Sequence, residues 1–395
     1  MPPLSNPPTP ARTPLARAIR WASGAVALLA SLSITDLASA ARPVVGVRRA
    51  RVTSTEVRAP SDRGELALTL EPRLQREVAS LLRSSHAMEA GAVVIEVATG
   101  RILAWASLDP AGRDMVSLPY APPASIFKIV TATALLDRAH VPVQARQCYV
   151  GGERTVRLAD LRPNGAGAGV RCETLQTALG YSRNLVVAGL ARRYLDAEAM
   201  TATAQLLGLG GDIPIDVQVG RGWVQVPSDE EGLARAAAGF GAGRISPLEA
   251  AYMMTIIARG GSRPALHLLQ QPGLSAPADA GAAMRASTAQ ALTRMLEVTV
   301  REGTCAKVFR DERGGRYLGR MHVAAKTGTL ARGTPNRLYS WFTGFAPSEH
   351  PEIAVAVMLA NQAHWWQKGN QVGRDILRAW FSRRYRGIRA PQRLR

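Results

Sequence analysis

Lysine is scarce in this sequence. Only four of the 395 residues are lysine, although lysine and arginine together number 49, so arginine supplies nearly all the positive charge. An arginine keeps its proton in a protein, whereas burial or a neighbouring cation lowers a lysine pKa and can leave a neutral amine. Each of the four lysines therefore invites a chemical explanation; they are Lys128, Lys307, Lys326 and Lys368.

Acidic residues are also few, since 30 Asp and Glu leave a formal net charge of +19. Zinc-ligand spacing, an RNP-type aromatic box and a basic region followed by heptads are all missing, so we predict no nucleic-acid partner. A basic surface also fits an anionic membrane or an anionic cell-wall polymer. One arginine cluster lies at the C-terminus, and we interpret its last residues, 386–395, as a basic tail.

Long apolar runs are missing apart from one near the N-terminus. Three arginines precede the apolar run 21–34, and Ala38-Ser39-Ala40 follows it. This order is typical of a secretory signal, while the run is shorter than the roughly 20 residues of a bilayer span. We predict that residues 1–40 are a signal peptide or an uncleaved N-terminal anchor. In both cases the rest of the protein is exported, to the periplasm or the extracytoplasmic face of the membrane.

The chain contains only three cysteines and six histidines. The histidines show no metal-ligand spacing, so we predict no metal and no cofactor. In an exported protein Cys148 and Cys172, 24 residues apart, are candidates for a disulfide worth about 3 kcal/mol. Cys305 would then be left over, and we expect it to be buried.

Hydrophobic patterns predict one folded domain after a short linker. Residues 41–63 show no clear periodicity and predict the linker, and the domain spans 64–385. Within it, two apolar runs joined by Ala98-Thr99-Gly100 predict a hairpin, the middle is mostly helical, and three strands precede a closing helix. We predict an α+β fold in which this hairpin and the C-terminal strands form one antiparallel sheet, flanked by helices and interrupted by a helical subdomain. The crevice between sheet and subdomain is the expected site.

The stretch Pro122-Pro123-Ala124-Ser125-Ile126-Phe127-Lys128 carries the first chemical motif. The prolines bar a helix before Ser125 and the residues afterwards favour one, so Ser125 and Lys128 fall on the same face near a helix start. A neutral lysine amine takes the proton of a serine hydroxyl, and helix-start N–H groups stabilise an oxyanion. By composition alone about 0.2 such Ser-x-x-Lys matches are expected per chain, so the motif is weak by itself.

Two further motifs follow, Ser182-Arg183-Asn184 between two predicted helices and Lys326-Thr327-Gly328-Thr329 at a predicted strand end. Chance predicts all three together in roughly 0.002 of such chains. With this motif set and order, the sequence resembles the penicillin-recognising serine acyl enzymes, the penicillin-binding proteins and serine β-lactamases. Other stretches, among them Gly239-Phe240-Gly241 and residues 341–347, look like the transpeptidase domain of penicillin-binding proteins.

The resemblance implies a role for each residue of the first two motifs. Ser125 would be the acylated nucleophile and Lys128 its base, which requires Lys128 to be neutral. Ser182 would relay a proton to the leaving amine, and Asn184 would hold the substrate amide. Arg183 departs from the smaller residues expected at the middle of this motif.

The third motif would bind the substrate. By resemblance, Lys326, Thr327 and Thr329 would receive its terminal carboxylate. The backbone N–H groups of Ser125 and Thr329 would form the oxyanion hole. Gly328 would let the substrate backbone lie along the strand edge as an added strand.

These roles predict an exported serine D,D-transpeptidase. It would cleave the D-Ala-D-Ala end of a peptidoglycan stem peptide, form an acyl-enzyme at Ser125, pass the acyl group to an amine of a neighbouring peptide, and bind β-lactams as inhibitors. Residues 41–63 leave no room for a glycosyltransferase domain, so we expect a separate polymerase protein as partner.

Two alternatives stay open. In a D,D-carboxypeptidase or β-lactamase, water would take the acyl group. The class A β-lactamases activate that water with a glutamate after the Ser-x-Asn motif, but no glutamate lies between Glu198 and Glu230. The second alternative is a catalytically silent, wall-binding protein of the same fold.

Overall fold

The computed structural model describes residues 41–151, 155–162, 165, 167–271, 279–332, 337–362 and 364–382. The predicted signal or anchor, 1–40, and the predicted basic tail, 386–395, lie outside these residues. Within the described ranges, every helix is too short or too polar to cross a membrane.

Strands lie at both ends of the described chain and helices dominate its middle, as predicted. The helices are α1 (Pro72–Ser84), α2 (Phe127–Asp137), α3 (Leu175–Tyr181), α4 (Asn184–Tyr194), α5 (Ala197–Leu206), α6 (Glu230–Ala237), α7 (Pro247–Ala258), α8 (Ala286–Arg301) and α9 (Gly369–Phe381). The strands are β1 (Arg51–Val52), β2 (Val57–Ser61), β3 (Gly64–Leu68), β4 (Glu89–Glu96), β5 (Ile102–Leu108), β6 (Arg146–Tyr149), β7 (Arg171–Thr174), β8 (Trp223–Gln225), β9 (Ala242–Arg244), β10 (Ser262–Pro264), β11 (Asp279–Ala282), β12 (Ala324–Arg332), β13 (Arg337–Ala346) and β14 (Ile353–Asn361).

The central sheet has five antiparallel strands in the order β12-β13-β14-β4-β5. Strand β14 pairs with β4 from Ile353 opposite Glu96 to Ala360 opposite Glu89, so the N-terminal hairpin and the C-terminal strands share one sheet. This pairing confirms the predicted α+β architecture. Strand β12, which contains the third motif, forms one edge of the sheet.

Helices cover both faces of this sheet. Helices α1 and α9 pack on one face, and their apolar residues form one core with Val355, Val357 and their sheet neighbours. Helix α7 packs on the other face, where a second and larger core continues into the helical subdomain. Apart from Asp137, every residue of α2 is buried, which suits a helix that is apolar all round. The first motif therefore leads into a helix that is buried over nearly its whole length.

The linker prediction for residues 41–63 is wrong over most of its length. Strands β1, β2 and β3 form a small antiparallel sheet. Val57 and Ala59 are fully buried on its inner side, while Arg58 faces outward and pairs with Glu65 across the sheet at 3.1 Å. The alternation of buried and outward-facing residues covers only a few positions between arginines, so it could not be recognised in the sequence. The folded domain therefore begins before residue 64.

Candidate active site

Residues 122–128 form one side of the site, which we call the Ser125 wall. Ala124–Ile126 form a 3-10 turn that runs directly into α2, so Ser125 lies just before the helix. The indole Nε1 of Trp341, on β13, donates to the carbonyl oxygen of Pro122 at 2.9 Å. This buried bond fastens the start of the wall to the central sheet.

Lys128 faces Ser125 from the first turn of α2. Its Nζ lies 2.7 Å from Ser125 Oγ and 2.7 Å from the carbonyl oxygen of Ala238. The lysine side chain is fully buried, and this burial lowers its pKa well below the usual value, with a smaller contribution from the charge of Lys326. A neutral amine here donates an N–H to Ala238 and accepts the hydroxyl proton of Ser125. The arrangement therefore suits a base beside a nucleophile.

Two glycines allow the backbone to approach the Ser125 wall closely. Gly239 has a φ of +94°, and a Cβ added to it would lie 2.1 Å from the carbonyl oxygen of Ala124. A Cβ on Gly328 of β12 would lie 3.3 Å from the Cβ of Ala124 and 3.4 Å from Cγ1 of Ile126. Strand β12 therefore packs directly against the turn that holds Ser125.

Residues 182–184 form the opposite side, which we call the Ser182 wall. Ser182 ends α3 in the left-handed conformation, with φ 61° and ψ 40°, and Asn184 is buried at the start of α4. The backbone N–H of Arg183 donates to the carbonyl oxygen of Ala178 at 2.8 Å. The predicted break between the two helices is thus a turn that directs Ser182 toward β12.

Lys326 connects this wall to the sheet. Its Nζ donates to Ser182 Oγ at 3.0 Å and to the carbonyl oxygen of Thr327 at 2.9 Å. The side chain is fully buried, and burial lowers its pKa to about 8. Beside it, the hydroxyl groups of Thr327 and Thr304 lie 2.7 Å apart. Near neutral pH this lysine therefore carries a positive charge.

The structure brings the three sequence motifs together. Ser125 contacts Lys128, Lys326 contacts Ser182, and Gly328 packs on the Ser125 wall. Thr329 follows on the exposed edge of β12, opposite Ser340 of β13. Asn184 is buried two residues after Ser182.

Two residues that contact the motif residues could not be predicted from the motifs. The backbone carbonyl of Ala238 accepts from Nζ of Lys128, and the neighbouring Gly239-Phe240-Gly241 stretch is the only sequence signal for it. Thr304 contacts Thr327 from the segment after α8, and its sequence surroundings carry no signal. Both depend on contacts between residues far apart in the chain.

The three cysteines form one disulfide and one free thiol. Cys148 and Cys172 form a disulfide between β6 and β7. Cys305 is a buried free thiol, and burial raises its pKa to about 12. It therefore stays protonated and unreactive near neutral pH.

One grouping of metal-ligand types occurs among the described residues although the sequence spacing indicated none. Glu297, His322 and Glu349 place one ligand atom each within 4.8 Å of one another. Two of the three side chains are exposed, and exposed acidic groups commonly meet without an ion. We assign this group no function, and the absence of a metal stays a prediction.

Comparison with known proteins agrees with this geometry. A family model described as the penicillin binding protein transpeptidase domain matches residues 90–380. The peptidoglycan D,D-transpeptidase PbpA of Mycolicibacterium smegmatis is 26% identical over 348 residues, with 75% of this chain and 67% of that protein covered. The stage V sporulation protein D of Bacillus subtilis is 25% identical, with 80% of this chain and 53% of that protein covered.

Solved structures show the same fold. Penicillin-binding protein A from M. tuberculosis, as an imipenem acyl-enzyme complex, superposes with a TM-score of 0.65 at 22% identity, covering 80% of this chain and 79% of that one. The transpeptidase domain of penicillin-binding protein 3 from Burkholderia pseudomallei gives a TM-score of 0.65 at 22% identity, covering 83% and 98%.

Proposed function

The chain belongs to the penicillin-binding protein transpeptidase family, and from that premise we propose that it is an exported serine D,D-transpeptidase that cross-links peptidoglycan stem peptides. Its substrate would be a peptide ending in D-Ala-D-Ala, and β-lactams would acylate the same serine. The relatives named as peptidoglycan D,D-transpeptidases support this assignment.

One observation carries the proposal. The buried amine of Lys128 lies 2.7 Å from the hydroxyl of Ser125, and its pKa is lowered well below the usual value. A serine that only capped a helix would not need a desolvated amine, whose burial disfavours the charged form. A nucleophile needs a base of this kind, because the serine hydroxyl must lose its proton as it attacks.

The first half-reaction forms the acyl-enzyme. Ser125 Oγ bonds to the carbonyl carbon of the penultimate D-Ala while Lys128 takes the hydroxyl proton. The oxyanion receives hydrogen bonds from the backbone N–H groups of Ser125 and Thr329. The C–N bond to the terminal D-Ala then breaks, and its amine leaves with a proton passed on through Ser182.

The second half-reaction transfers the acyl group. An amine of a neighbouring stem peptide attacks the ester carbon, a new amide forms, and Ser125 recovers its proton. Asn184 would hold the substrate amide, and Lys326, Thr327 and Thr329 would bind the terminal carboxylate. The peptide backbone would pair with the edge strand β12, beside Gly328, as an added strand.

The location and partners follow from the same proposal. Peptidoglycan lies outside the cytoplasmic membrane, so the chain would act on the periplasmic or extracytoplasmic side, exported by its N-terminal segment. The net charge of +19 suits contact with anionic lipid or wall polymer. A separate glycosyltransferase would supply the glycan strands.

Labelling with a fluorescent penicillin tests the proposal. Purified protein should form a covalent adduct that peptide mass spectrometry locates at Ser125, and the Ser125→Ala variant should form none. The wild-type protein should also release D-Ala from a peptide ending in D-Ala-D-Ala and join the acyl group to an added amine acceptor.

The outcomes separate the alternatives. A long-lived adduct together with acyl transfer to the amine supports a transpeptidase. Hydrolysis of the peptide despite an excess of amine indicates a carboxypeptidase, and rapid loss of the penicillin adduct indicates a β-lactamase. An unlabelled wild-type protein refutes the enzymatic proposal and leaves a wall-binding role.

A further inference from the structure

The disulfide hairpin leads directly into the active site. Strands β6 and β7 pair with Cys148 opposite Cys172, and these two residues form the disulfide. Strand β7 ends at Thr174, whose side-chain hydroxyl caps the N-terminus of α3. Helix α3 has only seven residues, and Ser182 is its C-cap. The cross-linked hairpin is therefore one short helix away from the Ser182 wall.

Glu173, between the disulfide and α3, connects the hairpin to this wall through space. One carboxylate oxygen accepts from the hydroxyl of Tyr149 at 2.8 Å, and the other accepts from Nε of Arg183 at 3.1 Å. The Glu173 side chain is only 17% exposed, so water screens this ion pair less than a surface pair. Burial and the Glu173 carboxylate raise the pKa of Tyr149 to about 12, so its hydroxyl stays protonated and donates across the neutral range.

Ser182, the residue next to Arg183, has a backbone conformation that the surrounding structure must hold. Ser182 is not a glycine, yet its φ of 61° lies in the left-handed region. Such a conformation is strained and persists only where the surrounding structure holds it. Lys326 holds the Ser182 side chain from the sheet. The Glu173–Arg183 ion pair holds the next residue of the same turn.

We propose that Glu173 is a positioning residue, which acts through Arg183 to hold Ser182 and Asn184 in their reactive geometry. This inference rests on the proposed transpeptidase function. It also explains the large, charged residue in the middle of the Ser-x-Asn motif, because Arg183 reaches the carboxylate on the hairpin. The disulfide keeps that carboxylate in place by tying β7 to β6.

Transient kinetics with the fluorescent penicillin test this role, with the full-length protein. Glu173→Gln keeps the side-chain shape but removes the charge that attracts Arg183. We expect the limiting acylation rate constant to fall about tenfold, since a displaced catalytic group slows the chemical step. The shape of its pH profile should stay unchanged, because neither lysine is altered. Arg183→Gln should reduce the rate similarly, and the double variant should be no slower than either single variant.

The segment between β6 and β7 provides a matched control. Asp160→Asn breaks the Arg157–Asp160 pair, whose atoms lie 3.3 Å apart in the segment between β6 and β7, and should leave acylation unchanged. Wild-type acylation by Glu173→Gln overturns the inference. The inference is also overturned if the loss of acylation parallels the fraction of unfolded protein, measured by thermal unfolding. It is likewise overturned if the losses of the two single variants add up in the double variant. An unlabelled wild-type protein refutes the proposed function itself, so the two failures are distinguishable.

Discussion

The two walls of the site are held in place by different forces. The Ser125 wall depends on close packing of backbone and apolar groups, with Gly239 behind it, Gly328 beside it and Trp341 bonded to its start. The Ser182 wall depends on charged and covalent links, through Lys326, the Glu173–Arg183 pair and the hairpin disulfide. Ser125 is thus fixed by shape and desolvation, whereas Ser182 is fixed by groups that respond to charge and pH.

Replacing the base should give the largest effect and should separate activity from stability. Lys128→Met should reduce the rate of acylation roughly 10³-fold, within the range typical of general-base loss. The same variant should unfold at a higher temperature. Because the folded-state pKa of Lys128 is lowered, protonation of this lysine favours the unfolded chain, so a methionine of similar length removes that cost.

Lys307→Met is the control, since this lysine is exposed and outside the site. It should change neither the acylation rate nor the unfolding temperature. Acylation of Lys128→Met within tenfold of wild type would show that another group accepts the serine proton.

Filling the space behind Ser125 should be the next most damaging change. In Gly239→Ala the new Cβ would lie 2.1 Å from the carbonyl oxygen of Ala124, so the turn must move. We expect acylation to fall about 100-fold, as displacements near 1 Å can cause. Gly281→Ala is a matched control, because Gly281 also has a positive φ, of +88°, but nothing lies within 4 Å of its added Cβ. If both variants lose acylation equally, general backbone strain rather than displacement of Ser125 is responsible.

The pH dependence of acylation should report the charge of Lys326, beside the Ser182 wall. Lys326 has its pKa lowered to about 8, so its positive charge is present below pH 8 and lost above it. The proposed base Lys128 must be neutral, and its lowered pKa favours that form. The second-order acylation rate should therefore decline above pH 8, reaching about a tenth of its maximum near pH 9. A rate that is constant from pH 7 to pH 10 would contradict the role of Lys326 as the charged anchor.

Removing the disulfide should have the smallest effect on chemistry. The Cys148→Ser/Cys172→Ser variant should lose about 3 kcal/mol of unfolding free energy by the loop-entropy model. Its acylation rate should fall only roughly threefold, because Glu173 can still reach Arg183 within a looser hairpin. Wild-type protein treated with a reductant should behave in the same way, and the double variant should not respond to the reductant. A hundredfold loss would mean that the disulfide itself, rather than the ion pair, positions the Ser182 wall.

The same contrast explains how much could be predicted from the sequence. The strand pattern and the helix after Ser125 are local, and short apolar runs bounded by turn residues predicted the strands of the central sheet, so the α+β architecture followed directly. The arginine-rich composition pointed to lysines kept for their chemistry, and both Lys128 and Lys326 lie fully buried in the site.

The support of the Ser182 wall could not be predicted in this way. Glu173 and Arg183 are ten residues apart, but a charged pair at that spacing has no sequence signature. Thr304 meets Thr327 only because α8 packs against β12. The sheet of residues 51–68 was missed because its inward-facing residues are few and arginines separate them. In each case the partners are brought together by tertiary packing rather than by local pattern.

The edge position of β12 also bears on how the protein behaves in concentrated solution. Within the described residues this strand pairs on one side, with β13, so its other side offers backbone groups to any extended chain. The opening that would admit a substrate peptide would equally admit the edge of a second molecule. Mutual repulsion from a net charge of +19 opposes that contact, and salt weakens such repulsion beyond about 8 Å at physiological ionic strength. Substrate access and the tendency of the protein to self-associate therefore both depend on one unpaired strand edge.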